Sequence, residues 1–122
     1  MVFHVGDLAL GKRENIEGLA PLLNGRLYLM RGNHDRRSNG FYQRLGIIMV
    51  PDPYRMDHTS GWMLIFSHRP VVLLEPGVLN LHGHIHNSVA PELGAGHVNL
   101  CVEVRGYRPW RLGEILTHYT IR

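Results

Sequence analysis

Leu27-Tyr28-Leu29-Met30-Arg31-Gly32-Asn33-His34-Asp35 is the stretch that best predicts the fold of this chain. Its first four residues form a short apolar run, which is typical of a buried β-strand, and polar residues follow where that strand would end. Three further apolar runs lead into similar polar blocks: Gly6-Asp7, Ser67-His68 and His82-Gly83-His84-Ile85-His86. Because ligands collect beyond the carboxyl ends of strands in open α/β sheets, the four blocks together predict one functional site.

The segments between these blocks predict a mixed α/β domain that covers residues 1–122 as one unit. Apolar positions at helical spacing predict a helix over 13–23, and a shorter helix is expected over 41–45. Two apolar runs that flank a polar, glycine-containing segment predict a β-hairpin with arms at 54–56 and 62–66. The remaining expected elements are strands over 2–5, 27–30, 47–50, 78–81 and 97–104 and a last helix over 112–117.

Composition is that of an ordinary globular domain and excludes several classes of protein. The chain is 44% hydrophobic and 19% charged, and no apolar run approaches the roughly 20 residues of a membrane span. Its single cysteine, Cys101, excludes an internal disulfide and a multi-cysteine zinc site. We expect a cytoplasmic protein without a membrane partner, because the first residues do not resemble a signal peptide.

The basic residues are numerous but scattered. A net charge of +3 arises from 13 Lys and Arg against 10 Asp and Glu, and the basic side chains form no run or stripe. A nucleic-acid partner therefore stays open but is not indicated. The nine histidines are the more unusual feature, and several of them fall in the four polar blocks.

Imidazole, carboxylate and carboxamide groups bind divalent metals, so the polar blocks predict a metal site. Taken alone, Gly6-Asp7 and Asn33-His34 would each be interpreted as a polar turn. Their joint occurrence at four strand ends favours the metal. The histidines outside the blocks are expected to be structural or solvated: His4, His58, His97 and His118.

The order and residue types of the blocks resemble the calcineurin-like metallophosphoesterase superfamily, in particular its small bacterial members. The superfamily pattern runs Asp-x-His, Gly-Asp, Gly-Asn-His-Asp/Glu, His and Gly-His-x-His, and this chain has every block except the first. The resemblance implies an α/β fold, a layered α-β-β-α sandwich missing its first strand and helix, so we expect an N-terminally incomplete domain. It also implies divalent metal ions, Mn, Fe or Zn, as cofactors.

The resemblance further implies which residues bind the metals. One metal would be bound by Asp7, Asn33, His68 and His84, and the other by Asp7, His86 and the two residues of the missing block. Only two protein ligands remain for the second metal, whereas zinc sites have three or four. We therefore expect one well-formed metal site and one incomplete site.

His34 resembles the catalytic histidine of the superfamily, which lies near the metals without being a ligand. An imidazole titrates near neutrality, so it can protonate a leaving alkoxide, and Asp35 would orient its second nitrogen. His82 would pack behind the ligands. The expected activity is hydrolysis of small phosphomonoesters or phosphodiesters by a metal-activated hydroxide, weakened by the incomplete site.

Other interpretations stay open. The chain could be a non-catalytic metal-binding or interaction module on the same fold, a promiscuous carboxyl-ester hydrolase, or a phosphodiesterase that processes nucleic acid. The arginines that flank the expected site could bind a phosphate, although solvated surface is the default for each: Arg31, Arg36, Arg37 and Arg69. The missing strand would leave an apolar strand at a sheet edge, so we expect a homo-oligomer that covers this edge.

Overall fold

The computed structural model describes residues 1–9, 11–72, 74–88 and 93–119. Its elements are β1 (Val2–His4), α1 (Arg13–Leu19), β2 (Leu27–Met30), α2 (Asn39–Arg44), β3 (Ile48–Val50), β4 (Tyr54–Asp57), β5 (Met63–Ser67), β6 (Val78–His82), β7 (His97–Asn99) and α3 (Leu112–Thr117). Short 3-10 helices cover Ala20–Leu22 and Val102–Val104. None of the helices in these ranges has the length and apolar character that a membrane crossing requires.

Two elements are shorter than the sequence predicts. α1 ends at Leu19 instead of reaching residue 23, because Pro21 lacks the amide N–H that would continue the α-helical hydrogen bonds. β7 ends at Asn99 instead of reaching residue 104, because the Oδ1 atom of Asn99 accepts the N–H of Cys101 at 2.9 Å and turns the chain. The other elements lie within two residues of their predicted bounds.

The strands form two sheets. The first has the order β1-β2-β3, with both pairs parallel. The second has the order β4-β5-β6-β7, in which β4 and β5 form the predicted antiparallel hairpin and the other pairs are parallel. The chain is therefore a mixed α/β protein with two sheets and few helices, which confirms the predicted class.

Two apolar clusters fix these elements. The larger joins the two sheets, and in it the ring of Phe3 stacks on Phe66 with their centroids 4.7 Å apart. The smaller contains Ile16 of α1, Leu29 of β2 and Phe41 of α2. Burying an aliphatic or aromatic side chain contributes about 1.5–3 kcal/mol. The larger cluster therefore holds Phe3 of β1 and Met30 of β2, and the smaller one holds Leu29 of β2. These two strands lead into the first two polar blocks.

The carboxyl ends of four strands bring the polar blocks together. β1 and β2 are parallel neighbours in one sheet, and β5 and β6 are parallel neighbours in the other. Ser67 pairs with His82 in the β5–β6 register, and the N–H of Gly83 donates to the carbonyl oxygen of His68 at 2.9 Å. Each sheet thus delivers two adjacent loops to the same region.

Candidate metal centre

Side-chain donor atoms from the four loops converge within a few ångströms of one another. The Nε2 atom of His68 lies 2.7 Å from Oδ1 of Asn33, 3.1 Å from Nδ1 of His84 and 3.4 Å from Oδ2 of Asp7. The Nδ1 atom of His84 also lies 3.1 Å from Oδ1 of Asn33. The structure therefore brings together the four residues expected to bind one metal, and we call them the donor cluster.

The hydrogen bond of His68 determines which of its nitrogens faces the donor cluster. Its Nδ1 atom lies 2.8 Å from the carbonyl oxygen of Val5, which can only accept, so Nδ1 carries the proton. In the neutral ring, Nε2 then presents a lone pair to the oxygens of Asn33 and Asp7. If Nδ1 of His84 carries a proton, it can donate that proton to Nε2 of His68 or to Oδ1 of Asn33, but not to both. A cation between the donor atoms would bind all of them. Metal-bound histidines typically donate their second N–H to a carbonyl in this way.

The spacing and chemistry of the donors fit a divalent cation. Ligand atoms about 2.1 Å from a shared ion lie roughly 3.0–3.4 Å from one another in octahedral or tetrahedral geometry. The contacts of Nε2 in His68 run from 2.7 to 3.4 Å, close to this range. Two imidazoles, a carboxylate and a carboxamide form a mixed N/O set, which suits Mn, Fe or Zn without selecting among them.

The electrostatics of His84 also favour a metal. Removal from water on burial is the main cause that lowers the pKa of His84, and the nearby His68 and Arg69 lower it further. A lower pKa keeps the imidazole neutral at neutral pH. Its Nδ1 lone pair then stays available for binding, as a metal ligand requires.

Asp35 holds the loop that carries Asp7. Its carboxylate, only 3% exposed, accepts the backbone N–H groups of Asp7 at 2.7 Å, Leu8 at 2.9 Å and Gly32 at 2.8 Å. Asp7 is thereby held at φ 58°, and its Oδ1 accepts the N–H of His34 at 2.8 Å while Oδ2 faces the donor cluster. These bonds show Asp35 acting on the loop backbone, and its expected role of orienting the imidazole of His34 stays a prediction.

Two glycines allow the loops to approach this closely. A Cβ atom on Gly32 would overlap the backbone and carboxylate of Asp7, with the Cγ atom of Asp7 2.9 Å away. A Cβ atom on Gly6 would overlap the ring of His68, and Gly6 also has φ 101°. The glycines of the Gly-Asp and Gly-Asn-His-Asp blocks are thus required by the contact between the loops.

Asn80 is a buried positioning residue that sequence reasoning missed. Its Nδ2 donates to the carbonyl oxygen of Ile65 and to Oγ of Ser67, both at 2.9 Å, and its Oδ1 accepts the N–H of Val71 at 2.9 Å. The hydroxyl of Ser67 in turn donates to the carbonyl oxygen of Arg69 at 2.6 Å. These bonds brace the loop on both sides of the His68 ligand. An asparagine inside the apolar run of β6 was the available signal.

His86 lies outside the donor cluster. Its Nδ1 atom is 2.7 Å from Oε1 of Glu103, and its side chain is 66% exposed. The hydrogen bond to Glu103 raises the pKa of His86, and the same bond lowers the pKa of Glu103. In the described part of the chain, one group of three or more His, Cys, Asp or Glu side chains could hold a metal, and it does not include His86. Its role as a ligand of a second metal stays a prediction.

Most of the remaining histidines have structural contacts. His82 is buried, with Nδ1 3.0 Å from the carbonyl oxygen of Gly83. His97 Nε2 lies 2.6 Å from the carbonyl oxygen of Val71. His4 differs, because its buried Nδ1 has no hydrogen-bond partner among the described residues.

Two cavities flank the Asn33-His34-Asp35 loop. One, of about 440 Å³, reaches Asn33 and His68 of the donor cluster and is also bordered by Arg31, Asp52 and Arg69. The other, of about 420 Å³, is bordered by His34, Arg36, Arg37, Tyr42, Ala9 and Ile16. The His34 side chain is exposed at this second cavity.

Comparison with known proteins gives the fold but no activity. No family model matches this chain. It is 28% identical over 126 residues to an uncharacterised protein of Methanocaldococcus jannaschii, a match that covers 95% of this chain and 64% of that protein. The chain thus spans less than two thirds of this curated relative.

Two solved structures are similar. A protein of unknown function from Aquifex aeolicus has a TM-score of 0.65 and 20% identity, over 96% of this chain and 75% of that one. This similarity shows the fold alone. The nuclease MPE of Pseudomonas putida has a TM-score of 0.47 and 25% identity, over 69% of this chain and 42% of that one, which is too weak to carry an argument.

Proposed function

We propose that this chain is a metal-dependent phosphoester hydrolase domain of the calcineurin-like metallophosphoesterase superfamily. The observation that carries the proposal is the convergence of Asp7, Asn33, His68 and His84 from four separate loops. Two sheets joined by a common apolar cluster support this proposal, and the layered α-β-β-α sandwich that the resemblance implies is part of it. The substrates would be small phosphomonoesters or phosphodiesters.

The charge of the donor cluster suits a phosphate. Asp7 is its one anionic member, so the cluster with a bound divalent cation would retain a net charge of about +1. The neutral carboxamide of Asn33 contributes an oxygen without reducing this charge. A bound metal would polarise a phosphoryl oxygen and acidify a water molecule.

His34 is the proposed proton donor, and Asp35 is a positioning residue. The N–H of His34 is tied to Asp7, so its backbone is fixed beside the donor cluster while its imidazole is exposed. A solvent-accessible imidazole can deliver a proton to a leaving alkoxide. Asp35 would act through the loop backbone, because its carboxylate accepts the N–H groups of Asp7, Leu8 and Gly32.

A second candidate function is a metal-binding module without turnover. The pairing of His86 with Glu103 favours it, because one donor cluster is assembled while the expected ligand of a second metal has another partner. His34→Ala separates the two functions. In an enzyme this variant loses turnover and keeps its metal, whereas a module has no turnover to lose.

The proposal is tested by elemental analysis of the purified chain after dialysis against Mn²⁺, with hydrolysis of bis-p-nitrophenyl phosphate followed in the same samples. We expect bound metal and turnover in the wild type, and loss of both in His68→Ala. His118→Ala, which changes an exposed histidine outside the cluster, is the matched control. Metal binding without hydrolysis would support the module instead, and a wild type that binds no metal would refute both functions.

A homo-oligomer is part of the proposal. β1 is an edge strand of the first sheet, with the side chain of Val2 partly exposed, and bare apolar edges favour association. We propose that a second copy of the chain covers this edge. A monomeric mass in light scattering at all protein concentrations would contradict this.

A further inference from the structure

The cavity beside His34 is distinct from the donor cluster. It has a volume of about 420 Å³ and contains none of the four proposed metal ligands. The apolar part of its lining comes from Ala9 and Ile16, and its polar part from His34, Arg36 and Arg37. A concave site that combines a few convergent polar groups with apolar surface is typical of ligand binding.

The charge of this cavity is positive and uncompensated. Arg36 and Arg37 are exposed, and neither takes part in an ion pair among the described residues. The nearest described partner of the Arg36 guanidinium is the carbonyl oxygen of Asn33, at 3.5 Å from Nε. None of the described residues that line the cavity is acidic. Two free guanidinium groups in a concave site attract anions, and guanidinium geometry matches phosphate.

The cavity next to the donor cluster has a smaller excess of positive charge, because an acidic residue also lines it. It contains the carboxylate of Asp52 as well as Arg31 and Arg69. Arg31 is already committed, because it donates to the carbonyl oxygens of Asp35 and Arg37 and to Oδ1 of Asn39. Two arginines without a described ion-pair partner, Arg36 and Arg37, thus line one cavity, whereas Arg69 lines the other together with the carboxylate of Asp52.

The chain keeps these two arginines close to the donor cluster. They follow the proposed ligand Asn33 by three and four residues, so even a fully extended chain would separate their Cα atoms from that of Asn33 by at most about 10–14 Å. The bonds from Arg31 to the carbonyl oxygens of Asp35 and Arg37 fix the backbone of this segment. A substrate that extends about 10 Å from the donor cluster would be long enough to contact the arginines.

We propose that the cavity lined by Arg36 and Arg37 binds a second phosphate group of the substrate, so that the preferred substrates are phosphoesters with at least two phosphates. The inference rests on the proposed function, which places the first phosphate at the donor cluster. The second phosphate can be adjacent, as in a diphosphate, or separated by a sugar, as in a nucleoside bisphosphate. Ala9 and Ile16 would contact the carbon skeleton.

Calorimetric titration of the Mn²⁺-loaded chain tests this with three probes: thymidine 5′-monophosphate, thymidine 5′-diphosphate and thymidine 3′,5′-bisphosphate. We expect at least one doubly phosphorylated probe to bind about tenfold or more tightly than the monophosphate. Whichever doubly phosphorylated probe binds more tightly identifies the preferred spacing between the two phosphates. In the Arg36→Gln/Arg37→Gln double variant, this advantage should fall to about threefold or less.

The matched control is Arg55→Gln/Arg108→Gln, which removes the same charge at two exposed arginines outside both cavities and should keep the advantage. Equal binding of the three probes to the metal-loaded wild type overturns the inference alone. An advantage that survives in Arg36→Gln/Arg37→Gln also overturns it. A wild type that binds no metal refutes the proposed function and the inference together.

Discussion

Replacing Asp35 by asparagine should loosen the donor cluster without touching any of its members. The carboxylate accepts three backbone N–H groups: that of Leu8 on Oδ1 and those of Asp7 and Gly32 on Oδ2. Asparagine has nearly the same shape but one oxygen. With that oxygen in the position of Oδ2, its NH₂ group would face the N–H of Leu8, donor against donor.

The cost follows from these three bonds. A hydrogen bond to a charged group contributes about 1.5–3 kcal/mol, and a neutral one about 0.5–1.5 kcal/mol. Asp35→Asn loses one charged bond and weakens two others in a site that is only 3% exposed. We expect the free energy of unfolding to fall by about 3 kcal/mol. Loss of an outer contact of this kind typically weakens metal affinity by about 10–100-fold.

Urea unfolding followed by circular dichroism in the presence of EDTA measures the first effect, and competition with a chromophoric chelator measures the second. Asp57→Asn, at an exposed position in β4, is the control for removal of one negative charge. The reasoning would be refuted by an Asp35→Asn protein that unfolds within about 0.5 kcal/mol of the wild type and binds metal with unchanged affinity.

Three further outcomes follow from the structure. Gly32→Ala should lower the free energy of unfolding by at least about 2 kcal/mol, because its Cβ would overlap Asp7; wild-type stability in urea would contradict the close approach. His4→Leu should raise the free energy of unfolding at pH 7 by about 1 kcal/mol by removing an unpartnered buried nitrogen. Burial lowers the pKa of His4, so the unfolded chain takes up its proton first and stability falls as pH drops below 6.5; thermal unfolding across this range should show a smaller acid loss in His4→Leu. Glu103→Gln should lower the pKa of His86 in an NMR titration, and an unchanged pKa would mean that the pair does not form in solution.

Much of the fold could be predicted because its signals are local. The apolar run 27–30 and the last helix expected over 112–117 coincide with β2 and α3 in full. The ends of α1 and β7 were predicted too late in the chain, because a single residue ends each element. Pro21 tightens the chain after α1, and the side chain of Asn99 ends β7 early. The spacing of apolar residues does not report the effect of Pro21 or of the Asn99 side chain.

The candidate site was predictable in its residue types and less so in its contacts. His84 enters the donor cluster, whereas His86 pairs with Glu103, which lies 17 residues further along the chain. This difference depends on the left-handed backbone at both histidines and on the position of the segment that contains Glu103. The partners of Asp35 depend on how closely the loops approach, which is a tertiary property. Asn80 gave a signal, because a polar residue in an apolar strand needs buried partners.

The donor cluster is proposed to bind one divalent cation through atoms that include Nε2 of His68 and Nδ1 of His84. The most direct measurement is ¹⁵N NMR of the histidine side chains during titration with Zn²⁺. We predict that Nε2 of His68 and Nδ1 of His84 shift together and saturate at one equivalent, while the nitrogens of His118 do not move. Unchanged His68 and His84 signals at saturating Zn²⁺, or shifts confined to other histidines, would contradict the claim.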